Sequence, residues 1–313
     1  MEHLRNLKGG LDKSIIILGA TATGKSKVAV YLAEKFPFEI ISADSMQFYK
    51  GMDIGTDKVS SEVRKAIPHH FIDIITVEEE FSVAQFKKGV VKILPEIYGR
   101  KRIPLIVGGS GLYIRVLTLN FPVEVSSPPD SLLREELSKI SLQELRNLAE
   151  CCDPVATERI GTHDKKRLIR VIEYFRATGK KISDLENTEP LLDFLKIGLY
   201  KERDKLYKDI DERVEHMFEK GFVDEVKRLK ETYPHWSKTA LQAIGYKEVL
   251  NYLEGQVSLY EAKEITKKRT RNFAKRQITW FKKEKELIWF DSTNLENILP
   301  DVYRLVREFI YES

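Results

Sequence analysis

The chain has 313 residues, 42% of them hydrophobic and 32% charged, and a net charge of +4. That length and mix are those of a soluble globular protein with one large or two moderate domains, and no apolar run reaches the roughly 18–20 residues of a membrane helix. Its two cysteines, Cys151 and Cys152, are adjacent, which speaks against a disulfide between them and against a Cys/His zinc site.

The N-terminal residues lack the charged-then-apolar pattern of a secretory signal, so cytoplasm is the expected location. Residues 14–18 are a continuous apolar run and predict a buried strand, followed by a helix over 25–36 with Val28, Leu32 and Phe36 along one side. Further strands are expected at 39–43, 71–75 and 103–107, with a helix over 81–99 between the last two. Strand and helix in alternation predict a parallel sheet with helices on both faces. The rhythm breaks near Asn120. A Pro-punctuated linker over 121–130 leads into a charged, helical stretch to about residue 188, read as a helical module inserted into an α/β domain. Beyond it the pattern predicts a strand at 195–200, a long helix over 203–232, another over 258–285, a strand at 286–290 and a closing helix over 295–311. Between Lys263 and Glu286 ten Lys/Arg face three Glu, so the basic character of the chain is concentrated in one segment.

Residues 19–26 read Gly19, Ala20, Thr21, Ala22, Thr23, Gly24, Lys25, Ser26 and match G-x-x-x-x-G-K-[ST] between a predicted strand and a predicted helix. In such a loop backbone N–H groups and the helix N-terminus surround an anion, Lys25 adds a full charge, and Ser26 can hold Mg²⁺. ATP is the usual occupant. The Asp that normally ends a neighbouring strand in an ATP-hydrolysing enzyme is missing, because 103–107 runs into Gly108, Gly109 and Ser110, and Asp73 has no following acid. Phosphate binding follows; ATP hydrolysis does not.

Asp44 stands just past the second strand, where α/β sheets hold their ligands; it serves either as a site carboxylate or as a helix cap. Ser110 lies in a second small-residue turn, Gly108 to Gly111, and offers a hydroxyl to whatever the loop holds. His69 and His70 lack a partner at metal-ligand spacing and read as structural. Arg213 sits among acidic neighbours on a predicted helix, where surface pairing is the plain explanation. Arg269, Phe273, Arg276 and Trp280 fall on one side of the basic helix, suited either to nucleic acid or to a solvated face with buried aromatics.

Taken in order, these segments resemble the tRNA dimethylallyltransferases, also called tRNA isopentenyltransferases, of the bacterial type. The residues that carry the resemblance are 19–26, Ser42 to Gln47, Met52 to Thr56, Pro68 to Asp73, Val107 to Tyr113, Ala243 to Glu248 and Thr270 to Phe281. The resemblance implies a P-loop α/β core over 1–120 and 191–313, with a helical insertion over 121–190 that clasps the tRNA anticodon stem-loop. It implies transfer of a dimethylallyl group from dimethylallyl diphosphate to the N6 amine of the adenosine 3′ of the anticodon, by a monomeric, Mg²⁺-using enzyme. Asp44 would be the base. Lys25, Arg213, the loop N–H groups and Mg²⁺ at Ser26 would receive the diphosphate. Ser110 stands where the family usually has Thr and would bond the leaving oxygen. tRNA contacts would come from Asp44, Ser45, Met46, Gln47 and Ser110, from Lys166, Arg167, Leu168, Ile169 and Arg170, and from Gln242, Ala243, Ile244, Gly245, Tyr246 and Lys247. The chain has no C-terminal zinc finger of the kind some eukaryotic members append. The rivals are an adenylate isopentenyltransferase, a small-molecule kinase and a nucleotide-switched RNA-binding module.

Overall fold

The computed structural model describes residues 13–119, 130–185, 190 and 192–312. The expected linker over 121–130 falls, except for Asp130, outside the described residues. The described chain forms two compact units, one from residues up to Ile114 and from Leu192 onward, the other from Arg115 up to residue 191.

The first unit opens with β1 (Lys13–Gly19), α1 (Lys25–Ala33), β2 (Phe38–Ser42), α2 (Ser61–Ala66), β3 (His69–His70), α3 (Val83–Gly99) and β4 (Ile103–Gly108), and α4 (Gly111–Thr118) follows. The second unit holds α5 (Ser131–Lys139), α6 (Leu142–Cys152), α7 (Pro154–Glu158) and α8 (Lys165–Thr178). The first then resumes with β5 (Asp193–Tyr200), α9 (Arg203–Glu219), α10 (Phe222–Thr232), α11 (Tyr246–Leu253), α12 (Leu259–Phe281), β6 (Leu287–Asp291) and α13 (Leu295–Tyr311).

All six strands pair in parallel in the order β3-β2-β4-β1-β5-β6. The reason is visible in β1, whose Ile15, Ile16, Ile17 and Leu18 are fully buried. Each is worth roughly 1.5–3 kcal/mol of apolar burial, and only a strand covered on both faces uses all four. With β4 and β5 on either side of β1, the loops after β1, β2 and β4 emerge together at the carboxyl ends of the strands. Ligands of open α/β sheets bind there.

Two expected elements differ. Residues 71–75 are not a strand, because Phe71 and Asp73 take positive φ (61° and 56°) and only Ile75 bridges, to Tyr49; the pairing strand is the short β3 just before. Asp73 is tied to Lys58 (2.5 Å) and Arg64, a structural knot rather than a metal-assisting carboxylate. The long helix expected over 203–232 is two helices, broken at Gly221 (φ 91°), a backbone state that glycine adopts without strain.

The helical unit has its own core of Leu137, Leu145, Ala149, Leu168, Ile169, Val171 and Ile172. Its buried Glu173 takes a two-point bond from Arg134 (2.7 and 2.8 Å) and the N–H of Asp130 (2.8 Å). Neighbouring charge and hydrogen bonds hold that carboxyl below the usual range although burial opposes them. Cys151 and Cys152 are free thiols.

Candidate functional site

The phosphate loop leaves β1 at Gly19 (φ 153°) and enters α1 through Gly24 (φ 86°), with Ala22 also at positive φ (62°). A side chain at Gly19 would overlap the carbonyl of Leu199 on β5, so glycine is needed there for conformation and for space. Thr23 closes the loop by donating to Ala20 O (2.8 Å), and Lys25 Nζ donates to the same carbonyl (2.7 Å). Burial pushes the Lys25 ammonium down to about 8; Asp44 and Asp57 pull it up and Arg213 pushes it further down.

Arg213 reaches this loop from α9, whose Leu206 and Ile210 pack with Ala274 of α12 around Ala20. Its Nη1 donates to Thr21 Oγ1 (2.8 Å) and lies 3.5 Å from Asp57 Oδ2. Pairing with neighbouring acids on its own helix does not hold it: Asp209 is taken by Lys201 (2.6 Å) and Lys205 (2.8 Å), and Asp211 by Arg271 (2.5 Å). Asp57 in turn sits on a turn fixed by Glu225. That buried carboxylate accepts the N–H groups of Asp53 (3.0 Å), Ile54 (2.7 Å) and Gly55 (3.3 Å) and the hydroxyl of Tyr246 (2.7 Å). Burial first, and Glu225 second, push the Tyr246 phenol well above its ordinary range.

Asp44 follows β2 and caps no helix. Its Oδ1 accepts the N–H of Met46 (3.1 Å), a local turn bond, and Ser42 and Gln47 join side chains beside it (2.8 Å). The Gly108–Gly111 turn is likewise not shaped by unusual dihedrals, since Gly108, Gly109 and Gly111 are absent from the positive-φ residues. They are there for proximity. A methyl group at Gly108 would overlap the Ala43 carbonyl, one at Gly109 the Gln277 amide, and one at Gly111 the Trp280 ring.

Two cavities meet at these groups. The first is lined by Lys25, Ser26, Ser42 and Gly108, and by apolar Ala29, Ile40, Val59, Ile72 and Val107. The second, of about 430 Å³, is lined by Ser45, Met46, Ser110, Gln242, Ala243, Ile244, Tyr246, Arg269, Phe273 and Arg276. Thr21, Asp44, Thr56, Arg213 and Phe273 line both. The first thus brings a phosphate loop to one side of Asp44, and the second a basic, aromatic wall to the other. Ser110 lines the second cavity, together with Thr21, Asp44 and Arg213, but not the first. Gln47 lines the first cavity and Lys247 neither.

Several residues are recast by the geometry. His70 bonds buried Glu39 (2.7 Å) and is structural, but His69 lines the loop-side cavity. Its Nδ1 engages Ile67 O (2.7 Å), and burial lowers its pKa. Of the basic helix, Arg269, Phe273 and Arg276 face the second cavity, with Arg269 paired to Glu248, whereas Trp280 packs on Gly111. Asp57, Thr56 and Gln277 also line these cavities, and only their position in the fold reveals them. In the helical unit the run 166–170 divides. Lys166 and Arg167 are exposed, Arg170 pairs with Glu173, and Leu168 and Ile169 are buried in the core of that unit. Among the described residues no group of three or more His, Cys, Asp or Glu is placed to hold a metal ion, and no helix is long and apolar enough to cross a membrane.

The IPP transferase family model matches residues 47–284. The tRNA dimethylallyltransferase of Dictyoglomus turgidum is 44% identical over 299 residues, 93% of this chain and 91% of that one. That of Carboxydothermus hydrogenoformans is 44% identical over 301 residues, 93% and 96% of the two chains. Among solved structures, the tRNA isopentenylpyrophosphate transferase of Bacillus halodurans superposes with a TM-score of 0.72 at 35% identity, covering 96% of this chain and 97% of that one. A eukaryotic dimethylallyltransferase acting on tRNA superposes with a TM-score of 0.82 at 29% identity, covering 96% and 80%. Likeness of this extent, in sequence and in fold, settles the kinship: the chain belongs to the IPP transferase family.

Proposed function

We propose that this protein moves a dimethylallyl group from dimethylallyl diphosphate to the N6 amine of the adenosine 3′ of a tRNA anticodon, releasing diphosphate. The observation that carries the reading is the pair of cavities with Asp44, Thr21 and Arg213 in both linings. One suits a diphosphate bearing a small apolar tail; the other suits a base extruded from an RNA loop, with Phe273 to stack on and Arg269 and Arg276 for phosphates. The relatives are named for transfer of a dimethylallyl group and for tRNA, which supports the reading.

The adenine N6 attacks C1 of the prenyl group as the C1–O bond to diphosphate breaks, and the N6 proton passes to Asp44. An aromatic amine is a weak nucleophile, so a carboxylate that takes its proton while the C–N bond forms lowers the barrier. The turn bond from Met46 fixes one carboxylate oxygen. The leaving diphosphate gathers charge, received by the loop N–H groups, Lys25 and Arg213. Ser110 donates its hydroxyl to the leaving oxygen. Mg²⁺ takes oxygen ligands and commonly rests on phosphates with one or two protein groups, so the lone Ser26 hydroxyl beside Lys25 fits it. When bound there, the metal neutralises diphosphate charge. In the helical unit, exposed Lys166 and Arg167 supply phosphate contacts to the anticodon stem, and the enzyme acts as a cytoplasmic monomer.

The test is incubation with labelled dimethylallyl diphosphate and either unmodified tRNA or AMP. Label is expected in tRNA alone. Label in AMP but not tRNA, or in neither, overturns the reading.

A further inference from the structure

Gln277 projects from α12 into the gap between two loops and is 5% exposed. Its Oε1 accepts the N–H of Thr21 in the phosphate loop (2.9 Å), and its Nε2 donates to the carbonyl of Gly109 (2.9 Å). These loops follow β1 and β4, neighbours in the sheet with Leu18 opposite Gly108. One amide therefore ties together the two strand ends that carry the leaving-group contacts. Each bond has a chemical partner one step further on. Thr21, with its backbone N–H occupied, presents Oγ1 to Arg213 (2.8 Å), and Gly109 immediately precedes Ser110. The lack of a side chain at Gly109 is what lets the amide approach.

We infer that Gln277 is a positioning residue for the leaving group: its amide sets Arg213, through Thr21, and Ser110, through Gly109, at a fixed spacing across the two loops. The bridge needs a group that accepts on one side and donates on the other. A carboxylate accepts from Thr21 but repels the Gly109 carbonyl, and a thioether does neither well. A misplacement of about 1 Å in such contacts costs up to about a hundredfold in rate.

This rests on the proposed transfer reaction, and its test separates the two. Single-turnover transfer to a tRNA anticodon stem-loop, at saturating dimethylallyl diphosphate, is measured for wild type, Gln277→Met, Ser110→Ala and the double variant. Gln277→Met is expected to slow transfer about tenfold or more, with stem-loop affinity kept within about twofold. In the Ser110→Ala background the part of the loss that passes through Gly109 should vanish and only the part that passes through Arg213 remain, because residues that act as one unit are not additive. A merely structural role would lower melting temperature and add its full loss in both backgrounds. If Gln277→Met fails to fold, Gln277→Glu keeps the volume and tests the same cycle. Full additivity, or an unchanged rate, overturns the inference. Absence of transfer by the wild type overturns the proposed function instead.

Discussion

The two compact units hold the charged side chains proposed to meet substrate in opposite ways. In the α/β unit Arg213 is held by Thr21 and Asp57, Lys25 by the Ala20 carbonyl, and Asp44 by the N–H of Met46. In the helical unit Lys166 and Arg167 are exposed, and among the described residues Arg167 is paired only with Asp164 (3.3 Å), the residue that caps its helix. Bond-breaking needs charges fixed before the transition state forms, since reorganising them at that moment would raise the barrier. Attraction to a phosphate backbone needs only nearby positive charge, and free long side chains serve it as well as fixed ones. On the proposed reaction, the contrast separates residues expected to set rate from residues expected to set affinity.

The largest effect expected is at Asp44. Asp44→Asn keeps an oxygen to accept the Met46 N–H, so the turn survives while the proton acceptor is lost. Single-turnover transfer should fall by about 10²–10⁴-fold, the usual contribution of a general base, with stem-loop affinity little changed. Normal turnover in that variant would remove Asp44 from the fixed set and break the contrast at its centre.

A smaller effect, readable in pH, comes from Lys25. Its pKa of about 8 lies below the ordinary 10.5, chiefly through burial. The folded protein thus carries fewer protons than the unfolded chain between about 8 and 10.5, and this lysine's contribution makes stability rise with pH across that window. Ligand binding runs the other way. An anion favours the ammonium form, so affinity for inorganic diphosphate should weaken as pH rises through about 8, by up to about tenfold per unit. His69, the neutralised imidazole of the same cavity, is pushed below 6.5 and does not titrate there. Calorimetry in buffers of different ionisation enthalpy should show proton uptake above pH 8 in wild type and less in Lys25→Gln. Equal uptake in both would assign the proton to another group.

The division between fixed and free charges also explains what the sequence could and could not disclose. Apolar runs mark five of the six strands to within two residues, and only the two-residue β3 is misplaced. The phosphate loop was legible because its function is local: eight consecutive residues make the turn and aim the N–H groups. Arg213 stands 192 positions from Thr21, and nothing in its acidic neighbourhood announces that contact. Gln277 and Glu225 are harder still, since a buried amide and a buried carboxylate acquire meaning only from backbone groups that other segments deliver. The glycines at 108, 109 and 111 read naturally as a tight turn, yet each marks close approach by a different element. A contiguous run such as 166–170 hides the helical period that buries Leu168 and Ile169 and exposes the two basic residues before them.

The smallest expected effect lies with those two residues. Neither Lys166 nor Arg167 belongs to the core of the helical unit, so Lys166→Ala with Arg167→Ala should leave melting temperature unchanged. Loss of Arg167 releases only an exposed pair with Asp164, worth little in water. If both contact stem phosphates, the double variant should bind a tRNA stem-loop a few-fold more weakly at moderate salt. The slope of log affinity against log salt should drop by about 0.7–0.9 for each contact removed. Transfer at saturating stem-loop should keep its wild-type rate, because among the described residues neither side chain bonds to a residue lining the two cavities. A loss of rate at saturation, with the salt slope unchanged, would mean that these residues act as fixed parts of the catalytic geometry rather than as free charges.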